Sequence, residues 1–199
     1  MLLDKYLPKY DITEESTAQV NAPLEAVYRA AEEITLAEIS GIVRLLFYLR
    51  GLPEKLAGRK DDPWNIHAPL IKEFCNDFFT FLEAQAPREI VIGLIVPGDI
   101  GRVWKKSSNL DILPVNAVEF MSVDEPNHLK VVCQFLVEST EGPSDVKIKA
   151  EWRVGALSPA ARKRFTLYWR IIGPFSHLIQ KLWVKGIKRR AERMVPQAA

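Results

Sequence analysis

The chain has 199 residues, of which 48% are apolar and 26% charged, and its formal net charge is +2. That length suits one domain with a sizeable core, and that composition excludes a chain disordered throughout. No apolar run approaches the ~18 residues of a membrane span, since Ile42 to Leu49 and Ile90 to Val96 are short and bracketed by charge.

The first residues, Met1-Leu2-Leu3-Asp4-Lys5, lack the basic-then-apolar order of a secretory signal. Two cysteines, Cys75 and Cys133, stand far apart and make no disulfide framework. A cytoplasmic location with two buried thiols rather than a bridge is the expectation. Charge is polarised along the chain. Ser158 to Val195 carries ten Lys/Arg against the single acid Glu192, a net of +9, and the remainder has a net of −7.

In chain order, Tyr10 to Val20 holds β-formers and predicts a strand that ends at Asn21-Ala22-Pro23. Asn21 and Pro23 then open a helix with Leu24, Val27, Tyr28 and Ala31 at helical spacing. Thr35 caps a second helix carrying Ile39, Ile42, Val43, Leu46 and Leu49, closed by Gly51, Pro53 and Gly58. Arg59 to Pro69 reads as a surface loop around Asp61-Asp62-Pro63, and Leu70 to Phe74 as a short helical turn.

The period then changes to two. Strands are expected at Phe79 to Phe81 and Arg88 to Val96, with a turn at Pro97-Gly98-Asp99. A strand beginning at Arg102 to Lys106, another at Val115 to Val123 and a third at Leu129 to Glu138 follow. After Gly142-Pro143-Ser144-Asp145, the strand Lys147 to Val154 alternates most regularly. Lys147, Lys149, Glu151 and Arg153 face one way, and Ile148, Ala150, Trp152 and Val154 the other. Such alternation predicts an antiparallel sheet with one wet and one covered face.

Ser158-Pro159 opens a long helix whose apolar stripe runs through Phe165, Trp169, Ile172, Ser176, Ile179, Trp183 and Ile187. Gly173-Pro174 predicts a kink or break at its middle. Strands segregated from helices give an α+β fold, a helix grip in which a curved antiparallel sheet wraps around a long C-terminal helix.

This order, and the string Val20-Asn21-Ala22-Pro23-Leu24-Glu25-Ala26-Val27, resemble the START-like, birch-pollen-allergen-like helix-grip superfamily (SRPBCC), and the strings Arg88-Glu89-Ile90-Val91-Ile92-Gly93, Glu151-Trp152-Arg153 and Ala161-Arg162-Lys163-Arg164-Phe165 carry a narrower resemblance. Within it the chain resembles a group of uncharacterised bacterial members. The resemblance implies a single START-like helix-grip domain over residues 1–199. It also implies a function among those of the superfamily, which include binding of lipids, steroids or hormones and action on polyketides. It carries over no catalytic residue.

The residues give the same picture without naming a reaction. His67, His128 and His177 stand alone, no metal-ligand spacing or nucleophile elbow occurs, and no metal or other cofactor is expected. Val131, Cys133, Phe135, Ile148, Ala150 and Trp152 on the sheet, with Phe165, Tyr168, Trp169 and Ile172 on the helix, form a candidate ligand-lining wall. Singly, each also suits a filled core. The leading expectation is a protein that binds a hydrophobic small molecule or lipid between sheet and C-terminal helix. A cyclase- or aromatase-like enzyme would need acid or base groups in that space, and Tyr168 and Glu151 are its candidates. Alternatively, Lys181, Lys185, Lys188, Arg189 and Arg190 offer a basic face to an anionic membrane surface. No nucleic-acid motif accompanies that face, and nucleic acid is not expected as a partner.

Overall fold

The computed structural model describes residues 1–41, 65–98, 115–142 and 145–195. Five strands, β1 (Ile12–Asn21), β2 (Thr80–Gln85), β3 (Glu89–Pro97), β4 (His128–Gly142) and β5 (Asp145–Ala156), form one antiparallel sheet in the order β1-β5-β4-β3-β2. Among the described residues six helices accompany them: α1 (Leu2–Tyr6), α2 (Leu24–Glu33), α3 (Leu36–Ile39), α4 (Leu70–Asp77), α5 (Ala117–Ser122) and α6 (Pro159–Met194). The curved sheet and the long α6 make the α+β helix grip that the sequence pattern predicts.

The strand registers follow the apolar alternation. Ile92, Cys133 and Trp152 lie side by side across β3, β4 and β5, as do Leu94, Val131 and Val154. These residues, with Ser16, Ala18 and Val20 of β1, face α6. A β-bulge between Phe81 and Glu83 interrupts the β2–β3 ladder.

Several helix starts are set by local chemistry. Thr35 and Glu38 form a reciprocal capping box at α3. Asn116 accepts hydrogen bonds from the backbone of Val118 and Glu119 and so begins α5. The Ser158 hydroxyl accepts from Ala161 at the start of α6, with Pro159 in the first turn. Residues 42–64 of the second expected helix and its loop, and the strand expected at Arg102 to Lys106, lie outside the described residues.

Four expectations are corrected. Val115 to Val123 is not a strand, because the Asn116 cap and the Glu119 bond back to Asn116 nucleate a helix there. Leu70 opens a full helix through Asp77 rather than a single turn. Third, α6 is not broken at Gly173-Pro174 and is one helix of 36 residues, about 54 Å long at ~1.5 Å per residue.

The fourth concerns the sheet's other face, which is not wet. The N-terminal α1 and α5 lie on it and bury Leu2, Leu3, Tyr6, Leu82, Val91, Ile95, Phe120 and Val132 together. Gly93 permits this approach, since a Cβ there would stand 2.6 Å from Leu82 and 2.8 Å from Phe120.

The polar residues of that face are buried beneath α1 as a bonded set. The Leu2 N–H donates to Glu89 Oε1 at 2.7 Å, and Gln134 Nε2 donates to the same oxygen. Arg153 donates through Nε to Glu151 at 2.8 Å and through Nη1 to Asp4 at 2.7 Å, and its guanidinium lies over the Tyr10 ring. Lys149 completes the pairing of Glu151 at 2.8 Å. Burial works against the Glu151 charge, but the bonds from Lys149 and Arg153 outweigh it and hold its pKa below the usual value.

Removing one member of such a pair leaves the other charge buried. Arg153→Met is therefore expected to destabilise the fold by about 3 kcal/mol. Asp4→Asn, at the exposed end of the same chain of bonds, is expected to cost under ~1 kcal/mol. Urea melts of the two variants check this, and equal losses would refute the buried-pair account.

Candidate functional site

The α6-facing side of the sheet does not pack as one core. At one end Trp183, Val184, Ile187 and Ala191 of α6 meet Ile90, Ile92, Phe135, Val137, Ile148 and Ala150, with α2, α3 and α4 closing around them. Trp183 anchors this end, with ring contacts to Phe135 at 4.9 Å, Phe74 at 5.3 Å and Trp152 at 6.4 Å. At the other end Ala161 and Phe165 of α6 pack on Val96, Leu129 and Val154. Val131, on the central strand, touches both clusters and is buried in neither.

Between the clusters lies the candidate site. Leu94, Val131 and Trp152 of the sheet and Trp169, Ile172 and Ser176 of α6 all keep partial solvent access there, although a helix covers that face. Small side chains explain the looseness. Along the inward side of α6 the sequence passes from Phe165 and Trp169 through Gly173 and Ser176 to Gln180 and Trp183. Bare Gly173 also accommodates the Trp169 indole, whose Nε1 lies 3.0 Å from where a Cβ would stand.

Polar groups edge this apolar space. Glu14 pairs with Trp152 across β1 and β5, and both project toward α6. Glu14 Oε2 and Trp152 Nε1 are buried without a hydrogen-bond partner, and so is Trp183 Nε1 nearby. Burial raises the Glu14 pKa above its ordinary value, while a hydrogen bond with Ser176 and the charge of His177 offset part of that rise. Next along β1, the Ser16 hydroxyl donates to Gln180 Oε1 at 2.9 Å, and Gln180 Nε2 donates to the Glu14 carbonyl at 3.1 Å.

The residues expected to line a ligand wall divide into two groups. Val131, Trp152, Tyr168, Trp169 and Ile172 border the accessible stretch, whereas Cys133 is buried in the cluster around Trp183. Phe135, Ile148 and Ala150 sit in the sealed cluster around Trp183, and Phe165 in the cluster at the opposite end. Burial pushes up the thiol pKa of Cys133 and raises that of Cys75 to about 11, so both remain protonated. Glu151 lies on the opposite face of the sheet from Tyr168, so the two do not share a compartment.

Glu14 and Leu94 escaped the sequence reading, which placed Ser176 on the stripe of α6 without a polar role and took His177 only as a lone histidine. One signal was present for Glu14. It shares the even parity of Ser16, Ala18 and Val20, which makes it the one acid on the covered side of that strand.

The basic end of α6 is largely engaged within the fold. Arg190 pairs with Glu33 at 2.7 Å and Glu38 at 2.8 Å, and Arg189 donates to the carbonyls of Glu38 and Ile39. Lys188 donates to the Gln19 carbonyl and lies 3.5 Å from Glu192. Lys181 and Lys185 are exposed. Among the described residues no helix is long and apolar enough to cross a membrane, and no three His, Cys, Asp or Glu side chains gather at metal-binding distance.

No protein-family model matches the chain, and no curated protein matches it significantly. Among solved structures, the chain is similar to a conserved protein from Geobacillus kaustophilus, with 8% identity, a TM-score of 0.43 and coverage of 92% of this chain and 96% of that one. A hypothetical protein from Helicobacter pylori aligns at 9% identity and a TM-score of 0.42, covering 94% and 93%. An aromatase/cyclase from a Streptomyces species aligns at 11% identity and a TM-score of 0.31, covering 94% and 96%. Likenesses this distant do not bear on what the chain does.

The raised Glu14 pKa has a thermodynamic consequence. The native state holds that proton more tightly than the unfolded chain, so its stabilising contribution is full below the ordinary value of 4.5 and is lost as pH rises through the native one. Glu14→Gln abolishes this loss. Its melting temperature relative to the parent is expected to rise between pH 4 and pH 7. Paired thermal melts check this, and a flat or falling difference would contradict the burial of that carboxyl.

Proposed function

We propose that the chain binds a hydrophobic small molecule or lipid carrying a polar head, seated between the middle of α6 and the sheet. One observation carries this reading: the covered face of the sheet is packed at both ends and left accessible at its centre, where Leu94, Val131, Trp152, Trp169 and Ile172 meet two unpartnered polar atoms. Pockets for small molecules have this make-up, mostly apolar with a few convergent polar groups. Glu14 and the Trp152 indole N–H would take the ligand's hydroxyl or carbonyl. The reading places the chain in the START-like helix-grip superfamily, as a single domain acting in the cytoplasm.

A second reading is a cyclase- or aromatase-like enzyme, and one observation favours it. Glu14 is a carboxyl with a raised pKa at the edge of an apolar space, as a general acid requires. In this reading Glu14 takes the place that the sequence suggested for Glu151.

Native mass spectrometry of the purified chain, followed by solvent extraction, tests binding directly. A co-purifying apolar molecule is the expected result. Val131→Phe, which adds bulk at the accessible centre rather than in either sealed cluster, is expected to reduce uptake of a fluorescent fatty acid at least ~10-fold, about 1.4 kcal/mol, with the melt still cooperative. Full uptake by that folded variant would remove the site from this location. Conversion of a bound polyketide that is lost in Glu14→Gln would favour the enzyme over the carrier.

A further inference from the structure

The outward side of α6 carries a second feature, independent of whether anything fills the space beneath it. Leu167, Ile171, Phe175 and Leu178 are 66%, 67%, 51% and 39% exposed. Their spacing of four, four and three residues puts them on one stripe of the helix, about 17 Å long at ~1.5 Å per residue. Single exposed apolar residues are ordinary on a protein surface, whereas a contiguous row marks a contact surface.

Charge identifies the partner. Lys163, Arg164, Arg170, Lys181 and Lys185 are all exposed on the same helix, and α6 carries no acid before Glu192. Basic residues along an apolar helical stripe match an anionic lipid surface, which accepts the apolar side chains into its acyl boundary and the cations at its head groups. We infer that α6 docks the domain on anionic membrane through Leu167, Ile171, Phe175 and Leu178, with Arg164, Arg170 and Lys181 at the phosphates. This surface lies N-terminal to Lys188, Arg189 and Arg190, which the fold engages internally.

Co-sedimentation of the full chain with vesicles tests the inference. Binding to vesicles of equal phosphatidylglycerol and phosphatidylcholine is expected, with loss on pure phosphatidylcholine and weakening in high salt. The double variant Ile171→Glu, Phe175→Glu is expected to lower partitioning at least ~10-fold, and Arg164→Glu, Arg170→Glu by a similar factor. Both pairs are exposed, so circular dichroism should match the parent. Absence of binding by the parent chain overturns the inference, and so does binding that the Ile171/Phe175 variant retains. A dimer in sedimentation velocity that this variant dissociates also overturns it, because a second copy would then be the occupant of the stripe.

Discussion

Gln180 holds the long helix to the sheet, and the rest of the covered face follows from where it sits. Its side chain is fully buried and spends both ends of its amide on β1, one on the Ser16 hydroxyl and the other on the Glu14 carbonyl. A buried amide with both ends bonded fixes rotation as well as position, because a slip of one residue would leave donor and acceptor unpaired. With Gln180 so fixed, Trp183 lies one turn further along on Phe135, and Ile187 and Ala191 fall onto the sealed cluster. The same turn of helix brings Ser176 against Glu14. One contact thus determines both which end of the interface is filled and which polar group edges the part that is not.

Charge reinforces this attachment only at the helix ends. Near the C-terminal end Arg190 spans Glu33 and Glu38, tying α6 to α2 and α3. Near the N-terminal end Arg162 meets Asp11 at 2.7 Å, while Asp11 also accepts from the Ala156 N–H. Between these points the bonds to the sheet include those of Gln180 and Ser176, and further along that of Lys188 to the Gln19 carbonyl. A helix held at both ends and at one interior point need not press on the sheet along its whole length. The partly accessible inward residues and the outward apolar stripe occupy the same stretch of α6.

The legible parts of the sequence were those in which local pattern and tertiary environment agree. The alternation of Ile148, Ala150, Trp152 and Val154 gave both β5 and its covered face, and the stripe from Phe165 to Ile187 gave α6. Where the two diverge, reading failed. Glu151 and Arg153 alternate as a solvated face does, yet α1 covers them, and nothing within β5 could reveal a helix about 150 residues earlier in the chain. Residues 115–123 have β-type composition, but Asn116 and Glu119 supply reciprocal caps that outweigh a weak propensity. Pro174 forfeits one backbone bond without breaking α6, since packing on both sides of it sustains the helix. At the site the aromatic residues of β5 and α6 were legible, while the partly accessible stretch between the packed clusters was not, because it depends on which large residues meet.

The two unpartnered atoms constrain what could fill that stretch. Glu14 Oε2 and Trp152 Nε1 each lose hydration on burial, at ~1–3 kcal/mol for a group left without a partner. A pure hydrocarbon would gain ~25 cal/mol for each Å² it buries but would leave both groups without a partner. An amphiphile whose oxygen pairs with them would keep the apolar gain without that loss. Under the proposed binding, the site would discriminate by the ligand's polar end more than by the length of its apolar part, so that substitutions at Glu14 would bear on selectivity and substitutions at Val131 on capacity.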